Sequence, residues 1–149
     1  MSRSKIDLKK FIQNVPDFPH EGINFKDVSP LLKDAVAFAT AVSLMADAVK
    51  DKQIDYVAGI EARGFIFGSA LANLLNLGFI PIRKPGKLPG EIIGQSYILE
   101  YGESSLEMQR DAVSKGSDLL IVDDILATGG TAKSAAKLVE RIGGRVVGF

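Results

Sequence analysis

DLLIVDDILATGGTAKSAAKLV, residues Asp118 to Val139, decides how this chain is read. Leu119 to Val122 run apolar without interruption, which suits a parallel strand covered on both faces. Asp123 and Asp124 follow at its end, then Ala127 to Thr131 (ATGGT), then a helical pattern. Ala135, Leu138, Val139 and Ile142 share one side of a helix predicted over Lys133–Ile142, and Gly143 and Gly144 stop it. In open α/β sheets ligands bind beyond the carboxyl ends of the strands, where this acid pair sits. A glycine loop entering a helix offers free backbone N–H groups and a favourable dipole to an anion. Thr128 and Thr131 add hydroxyl donors. An anion loop beside two carboxylates makes sense for a ligand with two halves. The acids suit hydroxyls or a metal rather than phosphate; with sugar hydroxyls on the acids and a phosphate on the loop, a sugar phosphate satisfies both.

Other nucleotide loops do not fit. The Walker A pattern needs Lys after its second glycine, and Thr131 follows Gly130. The Gly-x-Gly-x-x-Gly dinucleotide fingerprint is absent as well.

Working outward, strand and helix patterns alternate. Lys33–Lys50 has helical spacing with Asp34 placed to cap it. Ile54–Ile60 reads as a buried strand, Glu61–Gly64 as a turn, and Gly64–Leu77 as a helix stopped by Gly78. Phe79–Arg83 reads as a strand in which Pro81 is awkward. Lys84–Gly94, with two Pro and three Gly, is expected to be a long mobile loop. Ser96–Tyr101 and Leu106–Gln109 are expected to pair around a GESS turn, and Arg145–Phe149 begins a last strand. The alternation predicts an open, mostly parallel α/β sheet flanked by helices, in a single domain over 1–149.

The 149 residues balance 18 Lys and Arg against 18 Asp and Glu, so nothing draws the chain toward nucleic acid or an acidic membrane. There is no cysteine and one histidine, His20, which excludes disulfides, thiolate metal sites and polyhistidine sites. No stretch reads as a signal peptide or a membrane span. A cytoplasmic location is expected.

VDDILATGGT resembles the phosphoribosyl pyrophosphate signature of type I phosphoribosyltransferases. DFPHEGINFKDVSPLL, GIEARGFIFG, IRKPGKLPGE and SYILEYGESSLEMQ resemble adenine phosphoribosyltransferases, in the same order. Together they cover most of Pro16 to Phe149. The resemblance implies that fold, with a small N-terminal hood over residues 1–32 that binds the base, and a mobile loop. It implies transfer of phosphoribosyl from 5-phospho-α-D-ribose 1-diphosphate to adenine, giving AMP and diphosphate in purine salvage. Mg²⁺ would be held mainly by substrate oxygens rather than by direct protein ligands. The protein would be a homodimer, with the segment around Arg63 near the interface.

By the same resemblance, Asp123 and Asp124 contact the ribose hydroxyls, and Ala127, Thr128, Gly129, Gly130 and Thr131 hold the 5′-phosphate. Arg63 is the pyrophosphate-loop arginine, and the peptide before it, Glu61–Ala62, is often cis in the family. Lys84 and Lys87, with Arg83 beside them, face the departing diphosphate. Glu100 handles the proton near N7 of the base, and Tyr101 shields the site. Ile23, Phe25, Lys26 and Ile125 would form the adenine site. The family commonly has Arg where Lys26 stands. Relatives usually continue past a segment like GGRVVGF, so the resemblance implies either a truncated chain or an unusually short enzyme. Two rivals stay open: a 6-oxopurine specificity, and a non-catalytic sensor of phosphoribosyl pyrophosphate.

Overall fold

The computed structural model describes residues 6–99 and 102–149, in two compact units, Met1–Ala48 and Val49–Phe149. The expected roles of Glu100 and Tyr101 fall on residues outside those described.

In the first unit Asp7 caps a short 3-10 helix, Leu8–Phe11, by accepting from the Lys9 N–H. Strands β1 (Gln13–Val15) and β2 (Phe25–Asp27) pair antiparallel, with Val15 opposite Phe25. The turn between them contains a cis Phe18–Pro19 bond, and the Asp17 carboxylate accepts from the Gly22 N–H at 2.7 Å. The helix expected over Lys33–Lys50 is two helices, α1 (Ser29–Lys33) and α2 (Ala35–Ala48). Asp34 has extended backbone and therefore ends α1. Its carboxylate then accepts from the N–H groups of Val36 (3.0 Å) and Ala37 (2.8 Å), the capping role expected of it.

The second unit contains β3 (Tyr56–Ile60), α3 (Arg63–Leu75), β4 (Gly78–Ile82), β5 (Ile92–Leu99), β6 (Gly102–Gln109), β7 (Asp118–Val122), α4 (Gly130–Arg141) and β8 (Arg145–Gly148). Four strands form a parallel sheet in the order β4-β3-β7-β8, as the alternation predicts. Every residue of β7 is buried, which explains its unbroken apolar run. Its one acid, Asp118, is satisfied at the sheet end away from the site. It receives Arg145 Nε at 2.7 Å, and its N–H donates to Asp55 at 2.8 Å. Pro81 is tolerated because β4 lies at the sheet edge.

Three boundaries differ from expectation. Helix α3 stops at Asn76 (φ 56°) rather than Gly78, because asparagine is the other residue that enters the left-handed region readily. Gly78 instead opens β4. The Lys84–Gly94 loop ends early, since Ile92 to Gly94 already belong to β5. GESS is not a turn: Gly102 to Ser105 pair along the β5–β6 ladder, where strand partners satisfy the backbone of polar residues. A bridge between Arg83 and Glu107 ties this hairpin to the end of β4.

Candidate active site

The acid pair stands just beyond the buried end of β7. Asp123 accepts the Asp124 N–H at 2.8 Å. Asp124, its side chain only 5% exposed, is paired with Arg63 Nε at 2.8 Å. Arg63 opens α3, so its charge reaches β7 only if α3 starts very close to that strand. Gly64 permits this: a Cβ there would lie 2.8 Å from the Val122 carbonyl oxygen and 3.2 Å from the Asp123 Cα. The two acids therefore differ electrostatically. Asp124 has its own cation. Burial pushes the Asp123 carboxyl up to about 6 from an ordinary 3.8, and the adjacent Asp124 charge adds to that, against the Asp124 N–H and Arg63.

Past the acids the chain reaches α4 through Ile125 to Gly129. Gly129 takes φ +86°, a conformation that costs glycine little, and its carbonyl receives the Lys133 N–H at 2.9 Å. No side chain caps α4, so the N–H groups of its first turn lack intrahelical partners. A cavity of about 400 Å³ opens here, lined by Ile60, Leu99, Ile121 and the run Asp123–Ala132, with Phe149. Asp123, Asp124 and Ala127 to Thr131 are thus brought together, and Ile125 joins them.

At the end of β3 the Glu61–Ala62 peptide is cis, as the resemblance implies. The side chain of Glu61, which no sequence motif marks, organises the basic loop. Only 7% exposed, it accepts the Lys84 N–H at 2.7 Å, Arg83 Nε at 3.3 Å and Lys87 Nζ at 2.9 Å. Burial alone would raise its carboxyl, but Lys87, the Lys84 N–H and Arg83 together hold it below the usual value. Glu107, also unforeseen, accepts the Gly86 N–H at 3.1 Å. The missed signal was topological. Ends of paired parallel strands are neighbours, and Ile60 pairs with Ile82, so an acid after one should meet the bases after the other.

A phosphoribosyl transferase domain model matches residues 28–149. The adenine phosphoribosyltransferase of Halothermothrix orenii is 58% identical over 142 residues, 95% of this chain and 84% of its own. The chain belongs to the phosphoribosyl transferase family. Among solved structures, the adenine phosphoribosyltransferase of Thermoanaerobacter pseudethanolicus superposes with a TM-score of 0.91 at 52% identity, over 93% of this chain and 81% of its own. That of Saccharomyces cerevisiae, complexed with D-2,5-dideoxy-2,5-imino-altritol 1,6-bisphosphate and adenine, gives 0.87 at 41% identity, over 95% and 85%.

The remaining residues that the phosphoribosyl transferase resemblance points to lie in the first unit. Phe25 packs edge-on against Phe18, with ring centroids 5.2 Å apart. Lys26 donates to the Asn14 side chain across the β1–β2 ribbon. The Ile23 N–H is already given to the His20 carbonyl at 3.2 Å, and its carbonyl receives the Phe18 N–H at 3.1 Å.

Proposed function

We propose that this chain is an adenine phosphoribosyltransferase of purine salvage. One observation carries the reading: a carboxylate pair and an uncapped helix N-terminus face the same cavity of about 400 Å³. The acids suit ribose hydroxyls and the helix start suits a 5′-phosphate. The yeast relative's complex, with a bisphosphate and adenine, has the same ligand chemistry.

In the proposed reaction adenine N9 attacks C1′ of phosphoribosyl pyrophosphate. The C1′–O bond breaks, its electron pair leaves with diphosphate, and AMP remains. Asp123 and Asp124 orient the ribose, and Ala127 to Thr131 anchor its phosphate. Arg63, Lys84 and Lys87 stabilise the charge that develops on the departing group. Glu100 takes the proton shed near N7, and Tyr101 keeps water from the cation-like sugar. Ile23, Phe25, Lys26 and Ile125 are the residues proposed for adenine.

Among the described residues no three His, Asp or Glu side chains are grouped to hold a metal. With Asp124 committed to Arg63, the acids fit a Mg²⁺ ion carried largely by substrate oxygens, completed by water and at most one carboxylate. Such an ion would neutralise charge on the diphosphate. Homodimerisation and work in the cytoplasm belong to the same proposal; no helix among the described residues is long and apolar enough to cross a membrane.

The test is AMP formation with Mg²⁺, phosphoribosyl pyrophosphate and one labelled base at a time. AMP from adenine, with diphosphate released in equal amount, is the expected result. Turnover with a 6-oxopurine instead would reassign the base. Binding of phosphoribosyl pyrophosphate without any turnover would make the chain a sensor.

A further inference from the structure

Glu61, its side chain 7% exposed, stands in a loop region whose basic residues the proposed chemistry needs. Its two oxygens divide their partners. Oε1 takes the Lys84 N–H at 2.7 Å and Arg83 Nε at 3.3 Å, while Oε2 takes Lys87 Nζ at 2.9 Å. The first two partners are fixed in place. One is backbone, and Arg83 is held by its bridge to Glu107, by its second nitrogen on the Lys87 carbonyl (3.4 Å) and by the Phe65 ring 5.7 Å away. The third is not. Lys87 is 47% exposed on a flexible stem, so a ligand can reach its ammonium without reaching Glu61. Ile60 pairs with Ile82 and Gly59 with Val122, which sets Glu61 and Arg83 at the same end of the sheet as Asp123.

We propose that Glu61 is a positioning residue that acts through Lys87: it holds the ammonium while the site is empty and yields it when a diphosphate group arrives. The inference rests on the phosphoribosyl-transfer reading above. The exchange is feasible because the buried carboxylate keeps the Lys84 N–H and Arg83 after Lys87 leaves, so no bare charge is stranded. A diphosphate, far more anionic than one carboxylate, can compete for the lysine. Breaking the Glu61–Lys87 pair is part of every binding event, so the pair weakens retention of diphosphate and speeds its loss after transfer. The 5′-phosphate, anchored at the α4 start, is outside this exchange.

Calorimetric titration of the full chain with Mg²⁺-diphosphate and, separately, with AMP tests this. Glu61→Gln removes the charge but keeps an acceptor for the Lys84 N–H. It should tighten diphosphate binding about threefold to tenfold, the scale of a partly exposed ion pair, and leave AMP affinity within about twofold. In a Lys87→Met background the same change should do nothing to diphosphate. Glu61→Asp, which keeps the buried charge but shortens its reach, should act in the same direction by about twofold, and serves if Glu61→Gln does not fold. Unchanged or weaker diphosphate binding in a folded variant that still binds AMP overturns the inference alone. So does tightening that persists without Lys87. A wild-type chain that binds neither ligand overturns the phosphoribosyl-transfer reading and the inference with it.

Discussion

Asp123 and Asp124 are adjacent, and Arg63 Nε lies 2.8 Å from Asp124. For Asp123 burial and the like charge outweigh the Asp124 N–H and Arg63, and its carboxyl moves to about 6. A carboxyl raised above its ordinary 3.8 binds protons more readily in the native state than in the unfolded chain. Its contribution to stability is therefore best below about pH 4, worsens as pH rises, and is fully unfavourable above about pH 6. Asp123→Asn should stabilise the protein by on the order of 1–2 kcal/mol at pH 7.5 and by little at pH 4. If Asp123 holds the ribose as proposed, the same substitution should cost activity, because an amide accepts hydroxyls less well than a carboxylate. A charge-assisted hydrogen bond is worth about 1.5–3 kcal/mol, so kcat/KM should fall roughly 10- to 100-fold. Wild-type kcat/KM should decline on the acid side with a midpoint near 6, and the variant should lose that limb. Denaturant melts at the two pH values and a pH–rate profile check this; an acid limb unchanged in the variant would assign it to another group.

Helices α3 and α4 both begin at the site, each after a glycine-dependent approach of a different kind. At Gly64 the requirement is space, since an added Cβ meets backbone of Val122 and Asp123 that cannot rotate away. At Gly129 it is φ alone, with nothing within 4 Å. Gly64→Ala should therefore push α3 off β7, at about 1–3 kcal/mol, and draw Arg63 from Asp124. Gly129→Ala should cost about 1 kcal/mol through backbone conformation. Thermal melts should show the larger loss at Gly64, at about 2–4 °C per kcal/mol, and equal losses would remove the close-approach argument. Elements with a sustained pattern were legible in the sequence: β7 as an unbroken apolar run, α4 by its periodicity, the acid pair and glycines by their order. Three-residue strands such as β1 and β2 carry too few positions for a period to show. The polar GESS residues carry no strand pattern, because the ladder satisfies their backbone and leaves their side chains unconstrained. Glu61 was illegible as a local pattern, since its partners lie 22 to 26 positions away.

Over the whole chain the formal charge is zero, so ligand affinity must come from local arrangement rather than a general field. The charges are arranged as acid–base pairs at one end of the sheet, Asp124 with Arg63 and Glu61 with Lys87. Such pairs are self-satisfied when empty, and a ligand has to gain more than it disrupts. In the proposed reading phosphoribosyl pyrophosphate would engage the α4 start, the acid pair and the basic loop, all within Val49–Phe149. A ligand that binds only the folded state at about 100 times its dissociation constant adds about 2.7 kcal/mol. For a chain of this size that corresponds to about 5–10 °C. Scanning calorimetry with Mg²⁺ should show the unfolding transition of the chain rise by that amount with phosphoribosyl pyrophosphate. At the same ligand concentration the rise should be much smaller in Asp124→Asn, which gives up the charge that pairs with Arg63 and that the proposed reading assigns to the ribose hydroxyls. An equal rise in that variant would mean that the sugar does not rest on the acid pair. The phosphate cradle alone would then account for binding, and the two-halved ligand inferred from Asp118–Val139 would lose its first half.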